Sequence, residues 1–210
     1  MALDSYSGLQ TSAANWMNRQ DLAAQVPDFV TLGEAHMNRK LRTLQMEFRA
    51  FGVSSDDGTV PVPGDWLETR TFRLTGPTAG QQILEYVGEE EWDQLEASGL
   101  TGTSRYYTII NGEFQILPAP PTDPVMNYTL RYYGMIPALS DTNTTNWLLA
   151  KSPDLYLYST LLAAEAYLKD DDRLPIWKSI RDEIIQDMTL ESERAKRPTT
   201  RLRTVRSTYG

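Results

Sequence analysis

The chain has 210 residues, 20 Lys and Arg, 28 Asp and Glu, a single His and no Cys, for a net charge of −8. Without cysteine there are no disulfides, thiolate metal sites or cysteine nucleophiles, and His36 alone rules out multi-histidine metal sites within one chain. At roughly 150 residues per domain the length fits one or two domains, with a core large enough to need no staples. No apolar run approaches the ~20 residues that span a bilayer, so no membrane is expected as a partner. Residues 1–10 lack a basic stretch followed by an apolar one, so no signal peptide is read and synthesis in the cytoplasm is expected.

In chain order, residues 9–26 read as helix, with Leu9, Ala13, Trp16 and Met17 on one face and Leu22 and Val26 further on. Pro27 punctuates, and Asp28 is the expected N-cap of a second helix of about ten residues with Phe29 and Leu32 inward and His36 a further candidate for that face. The period then changes. Leu44, Met46 and Phe48 alternate with Gln45, Glu47 and Arg49, and Leu67, Thr69 and Thr71 alternate with Glu68, Arg70 and Phe72, which predicts strands. Residues 54–58 read as a turn, 59–62 as a short extended piece between prolines, and 82–87 as another strand.

Residues 89–97 predict a short acidic helix, with Trp92 and Leu95 on one face and Gly99 just past its end. Residues 106–117 predict a hairpin, with Asn111-Gly112 as a type I′ turn. Four prolines between 118 and 124 stiffen the connection to a strand at 125–135. The middle of the chain is therefore expected to be an antiparallel, sandwich-like β module.

Helix returns with a short piece around Trp147. Ser152-Pro153 then opens a helix to about residue 168, with Leu157, Leu161, Ala164 and Leu168 on one face. A last helix covers 174–193, where Ile176, Ile180, Ile184 and Met188 follow an i, i+4 spacing and Pro198 forbids continuation. The fold class is α+β. A discontinuous helical domain (1–43 and 136–193) carries an inserted β module (44–135) and a basic, extended tail (194–210). No acid follows Glu193, while Arg194, Lys196, Arg197, Arg201, Arg203 and Arg206 do. Removing these six positive charges from a chain at −8 leaves −14 on the body, which repels nucleic-acid phosphates. The tail suits an acidic partner or nucleic acid, and a solvated, loose chain end is the alternative reading.

No catalytic, cofactor-binding or metal-binding residues are read. There is no Gly-rich phosphate loop and no nucleophile elbow. Glu89, Glu90, Glu91 and Asp93 are consecutive or nearly so on a helix, so they point in different directions. Asp170-Asp171-Asp172 lacks the spacing of a calcium loop and reads as a turn. Eleven Tyr and five Trp place aromatics on both strand faces at Tyr106/Tyr107 and Tyr132/Tyr133. Core plus subunit interface is the first reading, and a carbohydrate-binding β-sandwich is the alternative.

Three stretches near the start carry a family resemblance: Trp16-Met17-Asn18-Arg19-Gln20-Asp21-Leu22, Val26-Pro27-Asp28-Phe29-Val30 and Glu34-Ala35-His36-Met37-Asn38-Arg39. So do Val62-Pro63-Gly64-Asp65-Trp66-Leu67, Leu130-Arg131-Tyr132-Tyr133, Ile136-Pro137-Ala138-Leu139-Ser140 and Thr145-Asn146-Trp147-Leu148-Leu149. Ser152-Pro153-Asp154-Leu155-Tyr156-Leu157-Tyr158 and Ala163-Ala164-Glu165-Ala166-Tyr167-Leu168 continue it. Over about residues 11–195 the chain resembles head-to-tail adaptor proteins of tailed bacteriophages. The resemblance implies a structural virion protein, made in the host cytoplasm, that forms a ring of commonly about twelve copies on the portal protein. It implies a tail, nozzle or stopper protein as the next partner, and double-stranded DNA passing through the lumen without sequence-specific binding. Arg194, Lys196, Arg197, Arg201, Leu202, Arg203, Val205 and Arg206 are then the candidate portal-docking tail. Trp147, Tyr156, Leu157, Leu161, Trp177, Ile180 and Ile184 are the candidate helical core or subunit interface.

Overall fold

A computed structural model describes residues 3–55, 57–76, 80–121, 126–168 and 172–196. The chain divides into two compact units, residues 1–44 with 137–210 and residues 45–136. The fold is α+β, with six α-helices and seven strands among the described residues.

The first unit is helical. Helix α1 (Tyr6–Met17) starts at Ser5, whose hydroxyl accepts from the Gly8 amide, and stops where Asn18 turns left-handed at φ 53°. This stop splits the helix expected over 9–26: Gln20–Leu22 form only a 3₁₀ turn. Leu9, Ala13 and Met17 are buried, whereas Trp16 is exposed and lies edge-on to Tyr158.

Helix α2 (Val26–Lys40) begins earlier than expected, with Gln25 rather than Asp28 at the N-cap. Pro27 fits the first turn because the amide it lacks has no partner there. Asp28 instead lies inside that turn, where a negative charge suits the helix dipole. The buried face is Val26, Phe29, Val30, Gly33 and Met37, so Leu32, expected inward, is exposed.

Helices α4 (Trp147–Lys151) and α5 (Pro153–Ala163) follow, and α5 is the centre of this unit, with Leu155, Tyr156, Leu157, Ser159, Thr160 and Leu161 all buried. A helix buried on several sides needs apolar residues on several sides, and α5 has them. It packs on α1, α2 and α6. It ends at Ala163; Glu165–Tyr167 are a 3₁₀ turn, short of the helix expected to 168. Helix α6 (Leu174–Lys196) buries only Trp177, Met188 and Ser192. The i, i+4 isoleucines do not form its inner face: Ile176 is exposed, and Ile180 and Ile184 are half-buried. An i, i+4 row drifts by about 40° per step around the helix, so it leaves any one face within three steps.

The second unit is a seven-stranded sheet of order β1-β7-β3-β4-β5-β6-β2. The strands are β1 (Glu47–Val53), β2 (Thr59–Pro61), β3 (Trp66–Gly76), β4 (Gly80–Tyr86), β5 (Tyr106–Ile110), β6 (Glu113–Leu117) and β7 (Asn127–Gly134). Residues 44–46, expected to open the first strand, form a 3₁₀ turn. Five of the six strand pairings are antiparallel as expected, but β4 and β5 run parallel for two residue pairs. The cause is local. Helix α3 (Glu89–Ala97) lies between them in sequence and returns the chain in the same direction, as a crossover does.

The Asn111-Gly112 turn joins β5 and β6 with φ 53° and 77°, the left-handed pair that a type I′ hairpin requires. Bulges shift the β3–β7 register between Trp66 and Glu68 and between Thr69 and Thr71. They break the simple alternation read from residues 67–74, and Phe72 and Leu74 become the buried side chains. The sheet curls, so strands far apart in its order share one core. Phe72 of β3 packs on Tyr107 of β5 at 5.3 Å, Phe114 of β6 at 5.1 Å and Tyr128 of β7 at 6.2 Å. Val60, Leu74, Leu84, Ile116, Met126, Leu130 and Tyr132 are the other buried members of the cluster.

Candidate functional site

Among the described residues no three His, Cys, Asp or Glu side chains group where they would hold a metal ion. The acids of α3 fan outward, with Trp92 as its buried anchor. No described helix is long and apolar enough to cross a membrane. What the chain offers is surface, held in place by two cores.

In the helical unit one buried polar network fixes the loop after the sheet to α2 and α5. Glu34 of α2 is buried, and its Oε1 accepts from the Leu139 amide at 2.8 Å and from the Tyr156 hydroxyl at 3.0 Å. Asn146 Nδ2 donates to the Tyr156 oxygen at 2.6 Å and to the Pro137 carbonyl at 2.7 Å. Its Oδ1 accepts from the Leu149 amide at 2.8 Å, which caps α4. Burial pushes the Glu34 carboxyl up, against the pull of its two donors. Burial and the neighbouring Glu34 charge push the Tyr156 phenol up as well. His36, on the same helix, is pushed down by burial and by Arg181, Arg39 and Lys40.

The Glu34 shift sets a sign. A carboxyl whose folded pKa lies above its unfolded value binds more protons folded than unfolded between the two. Its contribution to stability is therefore largest in acid and is lost as pH rises through the folded pKa. Glu34→Gln keeps both acceptor bonds and removes the titration. Urea unfolding of the two proteins from pH 4 upward is expected to show wild type losing stability relative to E34Q as pH rises. A constant difference between the curves would rule this out.

In the second unit Tyr132 donates to Asp65 Oδ1 at 2.9 Å, and burial with that carboxylate pushes the phenol up to about 12. The bond ties β7 to the loop that leads into β3.

The candidate core and interface residues are placed as follows. Tyr156, Leu157, Leu161 and Trp177 are buried in the helical unit. Trp147 is half-buried, and its Nε1 has no hydrogen-bond partner among the described residues. Ile180 and Ile184 are half-buried on α6. Of the candidate docking tail, Arg194 and Lys196 are exposed in the last turn of α6. Arg197, Arg201, Leu202, Arg203, Val205 and Arg206 lie outside the described residues. Arg194 also borders an open groove between α6 and the α4–α5 junction, where Lys151 pairs with Glu191 at 2.7 Å. The Glu34 network was missed by sequence reading. Its signal was an acid at the i+4 position from Val30, next to Gly33, on the otherwise apolar face of α2.

A helical scaffold drawn from both ends of the chain, a curled sheet inserted in it and broad exposed faces describe a structural module. The chain belongs to the SU10 adaptor protein family, whose model matches residues 4–205 and so spans both units. That match extends the resemblance read from residues 11–195 at both ends. The family comprises structural components of phage virions, implies interaction with portal and tail proteins, and is not known as an enzyme family. No curated protein matches the chain.

Proposed function

We propose that this chain is the head-to-tail adaptor of a tailed phage: a ring, commonly of about twelve copies, that attaches to the portal and carries the tail, nozzle or stopper. The observation that carries this reading is the family match across residues 4–205. Double-stranded DNA passes through the lumen, and a body at −14 before the basic tail lets phosphates slide without sticking. The helical domain (1–43 and 136–193), with Trp147, Tyr156, Leu157, Leu161, Trp177, Ile180 and Ile184 in its core or at its subunit boundary, forms the frame. The inserted module (44–135) supplies further surface. The tail (194–210) docks on the portal through Arg194, Lys196, Arg197, Arg201, Arg203 and Arg206, with Leu202 and Val205 as its apolar contacts. Assembly takes place in the host cytoplasm.

The test is binding to the portal of the same phage, followed by sedimentation and electron microscopy. The full chain is expected to cap the portal with a ring, and a chain ending at Glu193 is expected to lose binding at least about tenfold. If both bind equally, the tail assignment falls. If neither binds, the adaptor reading falls.

A further inference from the structure

The second unit is acidic, with 13 acids against five arginines in residues 45–136. Three of those five lie together on the outer face of the sheet. Arg49 of β1 sits directly opposite Arg131 of β7, which pairs in turn with Thr71 of β3. The next row on the same face runs Phe51, Thr129, Arg73, Ile83 across β1, β7, β3 and β4. Like charges directly opposite on neighbouring strands repel, and their Cβ atoms are only about 5 Å apart. Among the described residues none of the three arginines forms an ion pair, although the unit is rich in acids, and Arg73 Nε is buried without a hydrogen-bond partner. The adjoining row on this face holds two acids, Glu47 two residues before Arg49 and Glu68 opposite Tyr133, and Glu47 pairs with Arg70 at 3.8 Å. On the other side Glu85 follows Ile83 on β4, and among the described residues it forms no ion pair with the three arginines. The arginines are flanked by Phe51, 77% exposed, and Ile83, 65% exposed.

The same unit presents the opposite charge elsewhere. Glu89, Glu90, Glu91, Asp93 and Glu96 of α3 are all exposed, and none forms an ion pair among the described residues. Among the described residues neither set forms an ion pair, so the two patches of opposite sign on one unit are available to pair between copies. Resting on the ring reading above, we propose that the outer sheet face of one copy (Arg49, Arg131, Arg73, Phe51 and Ile83) receives the acidic helix α3 of the next copy.

The contact joins two different patches, so it is head-to-tail and propagates, closing into a ring when the rotation allows. It also sets direction, because arginine face on arginine face and α3 on α3 both repel. A second copy fits better than nucleic acid, because the unit that carries the arginines is net acidic and repels phosphates.

Charge exchange tests it on the full chain with its portal. Arg49→Glu with Arg131→Glu reverses the face. Asp93→Arg with Glu96→Arg reverses α3 while sparing its first turn, where positive charge opposes the dipole. Each pair alone is expected to raise the concentration needed for ring assembly about tenfold, and the four changes in one chain are expected to restore it. Added salt should weaken wild-type assembly in parallel. Melting curves verify that each variant folds, and Arg49→Ala with Arg131→Ala serves if the reversed face does not. A wild-type ring that none of these changes affects overturns this contact and leaves the ring reading intact. So does failure of the four-change chain to assemble although it folds. Binding of duplex DNA that is lost with the arginines overturns it in favour of phosphate. A wild-type chain that forms no ring on the portal overturns the ring reading and this contact together.

Discussion

Tyr156→Ala is expected to be the most damaging single change in the helical unit, costing about 3–5 kcal/mol of stability in urea unfolding. Two separate losses add. The ring is fully buried in α5, 0% exposed, so its removal leaves a cavity where α2 and α5 pack. The hydroxyl also holds Glu34 Oε1 at 3.0 Å and accepts from Asn146 Nδ2 at 2.6 Å, so alanine leaves a buried carboxylate one donor short. An unsatisfied buried partner costs about 1–3 kcal/mol, more when charged. Tyr156→Phe separates the two contributions. It keeps the ring and is expected to cost about 1–3 kcal/mol near neutral pH. The penalty for Tyr156→Phe should shrink in acid, because protonated Glu34 no longer leaves a charge unpaired. If Tyr156→Phe matches wild type at every pH, the network does not hold the unit together. Portal capping by Tyr156→Ala should fall with its folded fraction.

The order of elements was legible because it rests on local signals. The Asn111-Gly112 turn demands left-handed backbone and found it, and Trp92 anchored α3 as an i, i+3 pattern on an acidic helix implies. What was not legible depended on distant partners. Leu32 looks like a core residue until α5 is seen to approach α2 from the Gly33 side, where a Cβ would lie 3.2 Å from the Ser159 carbonyl carbon. Phe72 fell on the outward phase of residues 67–74 because a bulge, set by pairing with β7, reverses the alternation. The parallel β4–β5 junction needs the position of α3, which periodicity does not give. The surfaces show the same limit. Arg49 and Arg131 are 82 positions apart, and only the β1–β7 register makes them a like-charge pair. The basic tail, by contrast, was visible at once as composition, and its last residues lie beyond those described.

Phe72→Ala is expected to have the comparable effect in the sheet, again about 3–5 kcal/mol. Its side chain is 1% exposed and meets rings from three strands, Tyr107, Phe114 and Tyr128, within 5.1–6.2 Å. A curled sheet is held by the residues that touch across the curl, because hydrogen bonds alone link each strand only to its neighbours. Phe72 is central among them: β3 is separated from β6 by β4 and β5 in the sheet order, yet the two strands meet through this ring. Removing the ring takes away buried area and aromatic edge contacts worth about 0.5–1.5 kcal/mol per pair beyond that area. Phe72→Leu fills most of the volume and keeps no aromatic contact, so it should cost markedly less than alanine but more than zero. Limited proteolysis read by mass spectrometry gives the location: new cuts in Phe72→Ala are expected within residues 45–136. Cleavage no faster than wild type there would show that the β5–β6 hairpin and β2 hold the curl without Phe72.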